Sequence, residues 1–110
     1  MSLGAGSGAW SRRQFLWALS LAGLAGSAKA ESAVVEISRF EFTPGDLEIA
    51  AGGTVTFLNL DLAPHTATGE FFDTGTLRKG EQRQITFPDT GMFPYTCKFH
   101  HHMTGRILVR

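Results

Sequence analysis

The chain has 110 residues, one cysteine, 43% hydrophobic residues and ten basic residues balanced by ten acidic ones. That length allows one small domain, and the single cysteine excludes an internal disulfide framework. Zero net charge gives no basic footprint for nucleic acid.

The N-terminal segment reads as an address rather than as structure. Ser11-Arg12-Arg13-Gln14-Phe15-Leu16 is a twin-arginine pattern. An apolar stretch runs from Phe15 to about Gly26, and Ala28-Lys29-Ala30 supplies an A-x-A cleavage site. The stretch falls short of the ~20 residues of a membrane span and contains Gly23 and Gly26. Residues 1–30 are therefore expected to be a helical signal segment cleaved after Ala30, with the mature domain at 31–110 in the periplasm. Arg12, Arg13 and Lys29 precede Glu31, and all ten acidic residues follow Ala30, so the mature chain carries a net charge of −3.

Beyond Glu31 the chain consists of short β-runs separated by turn residues. Val34-Val35-Glu36-Ile37 is the first, and Phe40-Glu41-Phe42 follows, closed by Thr43-Pro44-Gly45-Asp46. Leu47-Glu48-Ile49 leads to a turn at Gly52-Gly53. Thr54 to Asn59 is β-branched and aromatic, with Val55 and Phe57 on one face. A run begins at His65-Thr66-Ala67-Thr68. Gln84-Ile85-Thr86-Phe87, Met92 to Cys97 and Arg106 to Arg110 complete the series. No stretch here has a helical period. Strands at such spacing, punctuated by Gly and Pro, indicate an all-β sandwich or small barrel.

The chemistry concentrates at Cys97-Lys98-Phe99-His100-His101-His102-Met103. An exported lone cysteine is a free thiol, an intermolecular bridge or a metal ligand. Here it stands three residues before a histidine and six before a methionine. Two histidines, one cysteine and a weak axial methionine form the blue-copper ligand set, and His65 is the upstream candidate for the second histidine. Zinc would also accept Cys and His. Any histidine of the triplet could bind, and spacing favours His100. For ligands six residues apart to share an ion, the loop must curl, and Gly105 would ease its exit.

These residues resemble the cupredoxins, particularly small amicyanin-like and plastocyanin-like blue copper proteins. The resemblance rests on Asn59-Leu60-Asp61 with Pro64-His65, Phe72-Asp73-Thr74-Gly75 with Gly80-Glu81, Gly91 to Cys97, and Gly105 to Val109. It covers most of the chain from Gly52 onward. The Cys97–His100–Met103 spacing is similar to the short amicyanin loop. The resemblance implies a small Greek-key β-sandwich holding one type 1 copper ion. It implies His65, Cys97 and His100 as strong ligands and Met103 as the weak axial one. The function implied is single-electron transfer between redox protein partners by a monomer, with no small-molecule substrate. A copper storage or delivery module is the alternative. A multicopper oxidase or nitrite reductase is disfavoured because Thr96 and Lys98, not histidines, flank Cys97.

Three features depart from the family pattern. His101-His102 follow the loop histidine, Thr66 stands where Asn is common, and little chain precedes the first β-run. The Thr66 amide is expected to point at the Cys97 sulfur. Phe57, Phe87, Phe93 and Tyr95 read as core or site wall, Met92 as packing, and Phe71-Phe72 as packing for the loop before Asp73. Phe99 is expected to shield the copper or line the surface patch. His101 and His102 read as a solvated pair. Lys98, Lys79 and Arg78 read as solvated charges.

Overall fold

A computed structural model describes residues 30–110, so all of the expected signal segment except Ala30 lies outside the described residues. Seven strands follow in order: β1 (Ala30–Ser38), β2 (Glu41–Thr43), β3 (Asp46–Asn59), β4 (Thr68–Gly69), β5 (Gln82–Phe87), β6 (Gly91–Thr96) and β7 (Thr104–Val109). They form the β-sandwich expected from the alternation of apolar and polar residues.

Strand β3 makes the two layers possible. The sequence reads it as two runs with a turn between them, but it is one strand of 14 residues. Its first part, Asp46 to Ile49, pairs in parallel with β7. Its later part, from Gly53, pairs antiparallel with β5 and in parallel with β1. The bend between them lies at the two glycines. Gly52 has a φ of 88°, and a Cβ on Gly53 would stand 2.8 Å from the Glu31 carbonyl oxygen and 2.9 Å from that of Ala50. These glycines therefore mark a bend that carries one strand from layer to layer. One layer is β2-β1-β3-β5, and the other is β3-β7-β6-β4.

The period of two along each strand decides what faces inward. Val35 and Ile37 of β1, Val55 and Phe57 of β3, Tyr95 of β6, and Ile107 and Val109 of β7 are buried. Continuing β6 by one step puts Cys97 on the same inner face, fully buried. Asn59, the last residue of β3, is buried on the same face. The alternation that builds the core thus delivers polar and thiol groups to one end of it.

Aromatic rings fill the centre. Phe57 stacks on Phe72 with centroids 5.6 Å apart, and the Tyr95 ring meets Phe42 edge-on at 4.8 Å and Phe57 at 5.4 Å. Burying one such ring contributes on the order of 2–3 kcal/mol. Tyr95 also covers Gly105, its partner across β6 and β7, and its ring occupies the space a Gly105 side chain would need. Gly105 is thus required by packing rather than by the exit of the loop. Met92, expected to pack, is 47% exposed on the outer face. Of the Phe71-Phe72 pair, Phe72 is partly buried and packs against the core cluster, while Phe71 is exposed and touches Phe93 edge-on.

Candidate metal centre

Two loops at one end of the sandwich carry the site. The Cys97–Met103 loop is two consecutive tight turns. The His100 amide donates to the Cys97 carbonyl at 3.3 Å, and the Met103 amide donates to the His100 carbonyl at 2.9 Å. A bond from residue i+3 back to residue i closes a turn and brings its ends together. A spacing of three, used twice, therefore curls the chain so that Cys97, His100 and Met103 stay close. The Cys97 amide donates to the Met103 carbonyl at 3.2 Å and closes the loop at its base, where Met103 is buried.

The second loop runs from Asn59 to His65. The buried Asn59 side chain donates to the carbonyls of Ala63, at 3.0 Å, and Leu77, at 2.7 Å, while its Oδ1 accepts the Asp61 amide at 2.8 Å. His65 is pinned on both sides by backbone bonds with Leu77. The run expected from His65 to Thr68 is reduced to that bridge and the two-residue β4.

The loops meet at Cys97. His65 Nδ1 lies 3.8 Å from Cys97 Sγ, and His100 Nδ1 lies 3.5 Å from it. All three donor atoms lie within 4.8 Å of one another, a compact His–Cys–His group. Both distances to sulfur are shorter than the ~4.3 Å sum of one metal–nitrogen and one metal–sulfur bond, so one ion can be shared. The Thr66 amide donates to Cys97 Sγ at 3.4 Å, as the sequence led us to expect.

The histidines differ in setting. His65 is fully buried, and its Nε2 meets Asp61 Oδ2 at 2.8 Å. A carboxylate only accepts, so that nitrogen carries the proton and Nδ1 presents its lone pair toward Cys97. The two oxygens of Asp61 also accept the Arg39 and Phe40 amides at 2.8 and 3.0 Å. Its carboxyl is held below the usual range: desolvation, the largest influence, opposes this, but the bonds from Phe40, Arg39 and His65 outweigh it. His100 is half-buried, and its basicity is lowered by desolvation first, then by the charges of His65 and His102, with Asp61 opposing. His101 and His102 are exposed, and the His102 ring lies 6.4 Å from that of His100.

Two contributors escape the sequence reading. Asp61 carries a signal in hindsight, an acid four residues before a histidine in a loop. Phe40 carries none. Arg39 and Phe40 both have positive φ, 56° and 59°, with their amides held by Asp61. That turn sets the Phe40 ring edge-on to His65 at 5.0 Å and to His100 at 4.8 Å. Phe40 thus forms a wall of the site, whereas Phe57, Phe87, Phe93 and Tyr95 lie deeper, in and against the core. Phe99 is exposed at the surface. Lys98, expected to be solvated, pairs with Asp73 at 2.9 Å.

The family described as a cupredoxin-like domain matches residues 14–109. The chain belongs to the cupredoxin family. It is 31% identical to an amicyanin of Paracoccus denitrificans in an 83-residue alignment that covers 69% of this chain and 63% of that protein, just under two thirds of its length. A purple cupredoxin of Nitrosopumilus maritimus superposes with a TM-score of 0.67 at 26% identity, covering 71% of this chain and 99% of that one. A copper-containing nitrite reductase of Thermus scotoductus superposes with a TM-score of 0.68 at 29% identity over 86% of this chain, but only 25% of the enzyme is covered.

Proposed function

We propose that this chain is an exported type 1 copper protein that carries single electrons between redox protein partners. The observation that carries this reading is the buried Cys97 sulfur with His65 and His100 nitrogens 3.8 and 3.5 Å away. One thiolate and two imidazoles suit copper, and a thioether at Met103 supplies the weak fourth donor. Copper bound there would cycle between Cu(II) and Cu(I).

The protein's contribution is to hold the donors still. Asp61 fixes the ring of His65, the paired turns fix His100, and the Thr66 amide is aimed at Cys97. Little atomic movement would then accompany each transfer. His100 is half-buried, with Phe40 beside it, while Leu60, Leu62 and Phe99 on the two loops are exposed. That arrangement supports electron exit through the His100 edge into an apolar contact with a partner. With four donors on one ion no position is left for a substrate, which supports a carrier rather than an enzyme. The amicyanin relative supports the same class. The twin-arginine pattern supports delivery to the periplasm, and the Ala28-Lys29-Ala30 site supports a working chain of residues 31–110.

Copper storage or delivery is the second reading, favoured by exposed His101 and His102 beside His100. Adding Cu(II) and an oxidant to residues 31–110 separates the possibilities. An intense band near ~600 nm establishes the cysteine-bound site. It is expected to vanish in His100→Ala and persist in His101→Ala. A pale spectrum in the unaltered protein overturns the proposal, and rapid loss of copper to a chelator with slow electron self-exchange favours delivery.

A further inference from the structure

The residue after His65 is Thr66, and its hydroxyl begins a closed chain of hydrogen bonds. The Lys98 amide donates to Thr66 Oγ1 at 2.9 Å. Thr66 Oγ1 lies 2.9 Å from Thr68 Oγ1, which donates to Asp73 Oδ1 at 3.0 Å. Asp73 Oδ2 returns to Lys98 through its ammonium group, 2.9 Å away.

The hydrogens in this ring are fixed by elimination. A carboxylate only accepts, so the Thr68 proton goes to Asp73. The Thr66 proton must then go to Thr68, which leaves a Thr66 lone pair for the Lys98 amide. Each hydroxyl has one orientation, and that orientation originates at Asp73. The Gly75 amide donates to the same Oδ1 at 2.8 Å and holds the carboxylate in place.

The ring joins the two loops of the metal centre. Thr66 adjoins His65, and Lys98 adjoins Cys97. Thr66 is 1% exposed, and its amide is the donor on Cys97 Sγ. A threonine hydroxyl has only one proton and reaches less far than an asparagine amide. With its proton directed to Thr68, and Thr68's to Asp73, one of its two lone pairs is held toward the Lys98 amide.

We propose that Thr68 and Asp73 are positioning residues for the copper centre. Through the Thr66 hydroxyl they hold the Thr66 amide on the Cys97 sulfur, and this raises the reduction potential. The proposal rests on the copper reading above. An N–H bond draws electron density from the thiolate, which weakens its donation to the metal and favours the reduced ion. Asp73 is suited to the task because its carboxyl is held below the usual range, first by the bond from Lys98, then by those from Gly75 and Thr68, against some desolvation. It therefore remains an acceptor at neutral pH.

The test compares the copper-loaded protein with Thr68→Val, Thr68→Ser, Asp73→Ala and Asp46→Ala. Asp46 is an exposed acid paired with Arg106, outside the ring. Thr68→Val is expected to keep the ~600 nm band, lower the potential and raise the Cu–S stretching frequencies. Thr68→Ser is expected to restore both, and Asp46→Ala to leave the stretching frequencies unchanged. Asp73→Ala separates positioning from charge. Loss of a nearby negative charge alone raises the potential, whereas loss of the ring lowers it. In the copper-free protein, hydrogen exchange at the Thr66 amide is expected to quicken roughly tenfold in Thr68→Val and Asp73→Ala, a loss of ~1.4 kcal/mol of protection. An unchanged potential in Thr68→Val, a raised one in Asp73→Ala, or unchanged Thr66 exchange overturns the proposal. If Thr68→Val does not fold, the exposed Asp73 variant and the exchange measurement decide. Absence of the band from the unaltered protein would defeat the copper reading instead, and Thr66 exchange would still report on the ring.

Discussion

Replacing Asp61 with alanine tests how the site is braced. The carboxylate accepts three bonds: from the Arg39 and Phe40 amides at 2.8 and 3.0 Å and from His65 Nε2 at 2.8 Å. The amide bonds are exposed to solvent and contribute about 0.5 kcal/mol each, at the low end for such bonds. The third joins a fully buried imidazole to a carboxylate whose side chain is 16% exposed. Its loss leaves a buried N–H without a partner and costs about 2 kcal/mol. The total is about 3 kcal/mol. For a domain of this size that lowers Tm by roughly 12–24 °C. Releasing the ring of His65 should also weaken copper binding by about 10–100-fold. Asp61→Asn is intermediate. Its one oxygen can still serve His65 and Phe40, but its amide nitrogen then faces the Arg39 N–H. Thermal melts of the copper-free protein and competition for copper against a chelator measure the two effects. A Tm within about 3 °C of the unaltered protein, a shift of well under ~1 kcal/mol, together with copper affinity within twofold, would refute the brace.

Four further outcomes are expected. On the proposed ligand set, Met103→Leu should retain copper and its colour while raising the reduction potential, the effect of losing a weak axial donor; voltammetry reads this, and loss of the metal would contradict the axial assignment. Tyr95→Phe should raise Tm, since the Tyr95 hydroxyl is buried with no hydrogen-bond partner among the described residues and removing it relieves about 1 kcal/mol; the same burial, aided by Asp46, holds that phenol well above its usual pKa. Gly105→Ala should destabilise by about 1–3 kcal/mol in denaturant titration, because the new methyl falls on the Tyr95 ring. Acid should weaken the fold through Asp73 and Asp46, whose pKa values are lowered chiefly by their bonds to Lys98 and Arg106. A depressed carboxylate stabilises above its unfolded pKa and loses that contribution as pH falls through the folded value. The decline should therefore lie below about pH 4 and shrink when both are changed to Asn.

The sequence alone pointed to the fold class and to His65, Cys97, His100 and Met103 as the candidate ligands. A period of two in each run selects a sandwich, because alternate side chains must share one interior. The curl of the Cys97–Met103 loop was legible because its spacing is local: two turns of three residues need no distant partner. That His65 would come close to Cys97 was legible through its flanking residues and the family resemblance. Tertiary structure decided what depends on the crossing of distant segments. Only the pairing of β3 with both β7 and β1 shows that Gly52-Gly53 is a bend within one strand. Only packing shows that Gly105 makes room for Tyr95. Phe40 gave no signal, since its place beside His65 and His100 follows from two amides held by Asp61, more than twenty residues later. The partnership of Lys98 with Asp73 was hidden for the same reason. Alternation and short turns are written in neighbouring residues, whereas the hydrogen bonds that orient the ligands join loops brought together only when the sandwich closes.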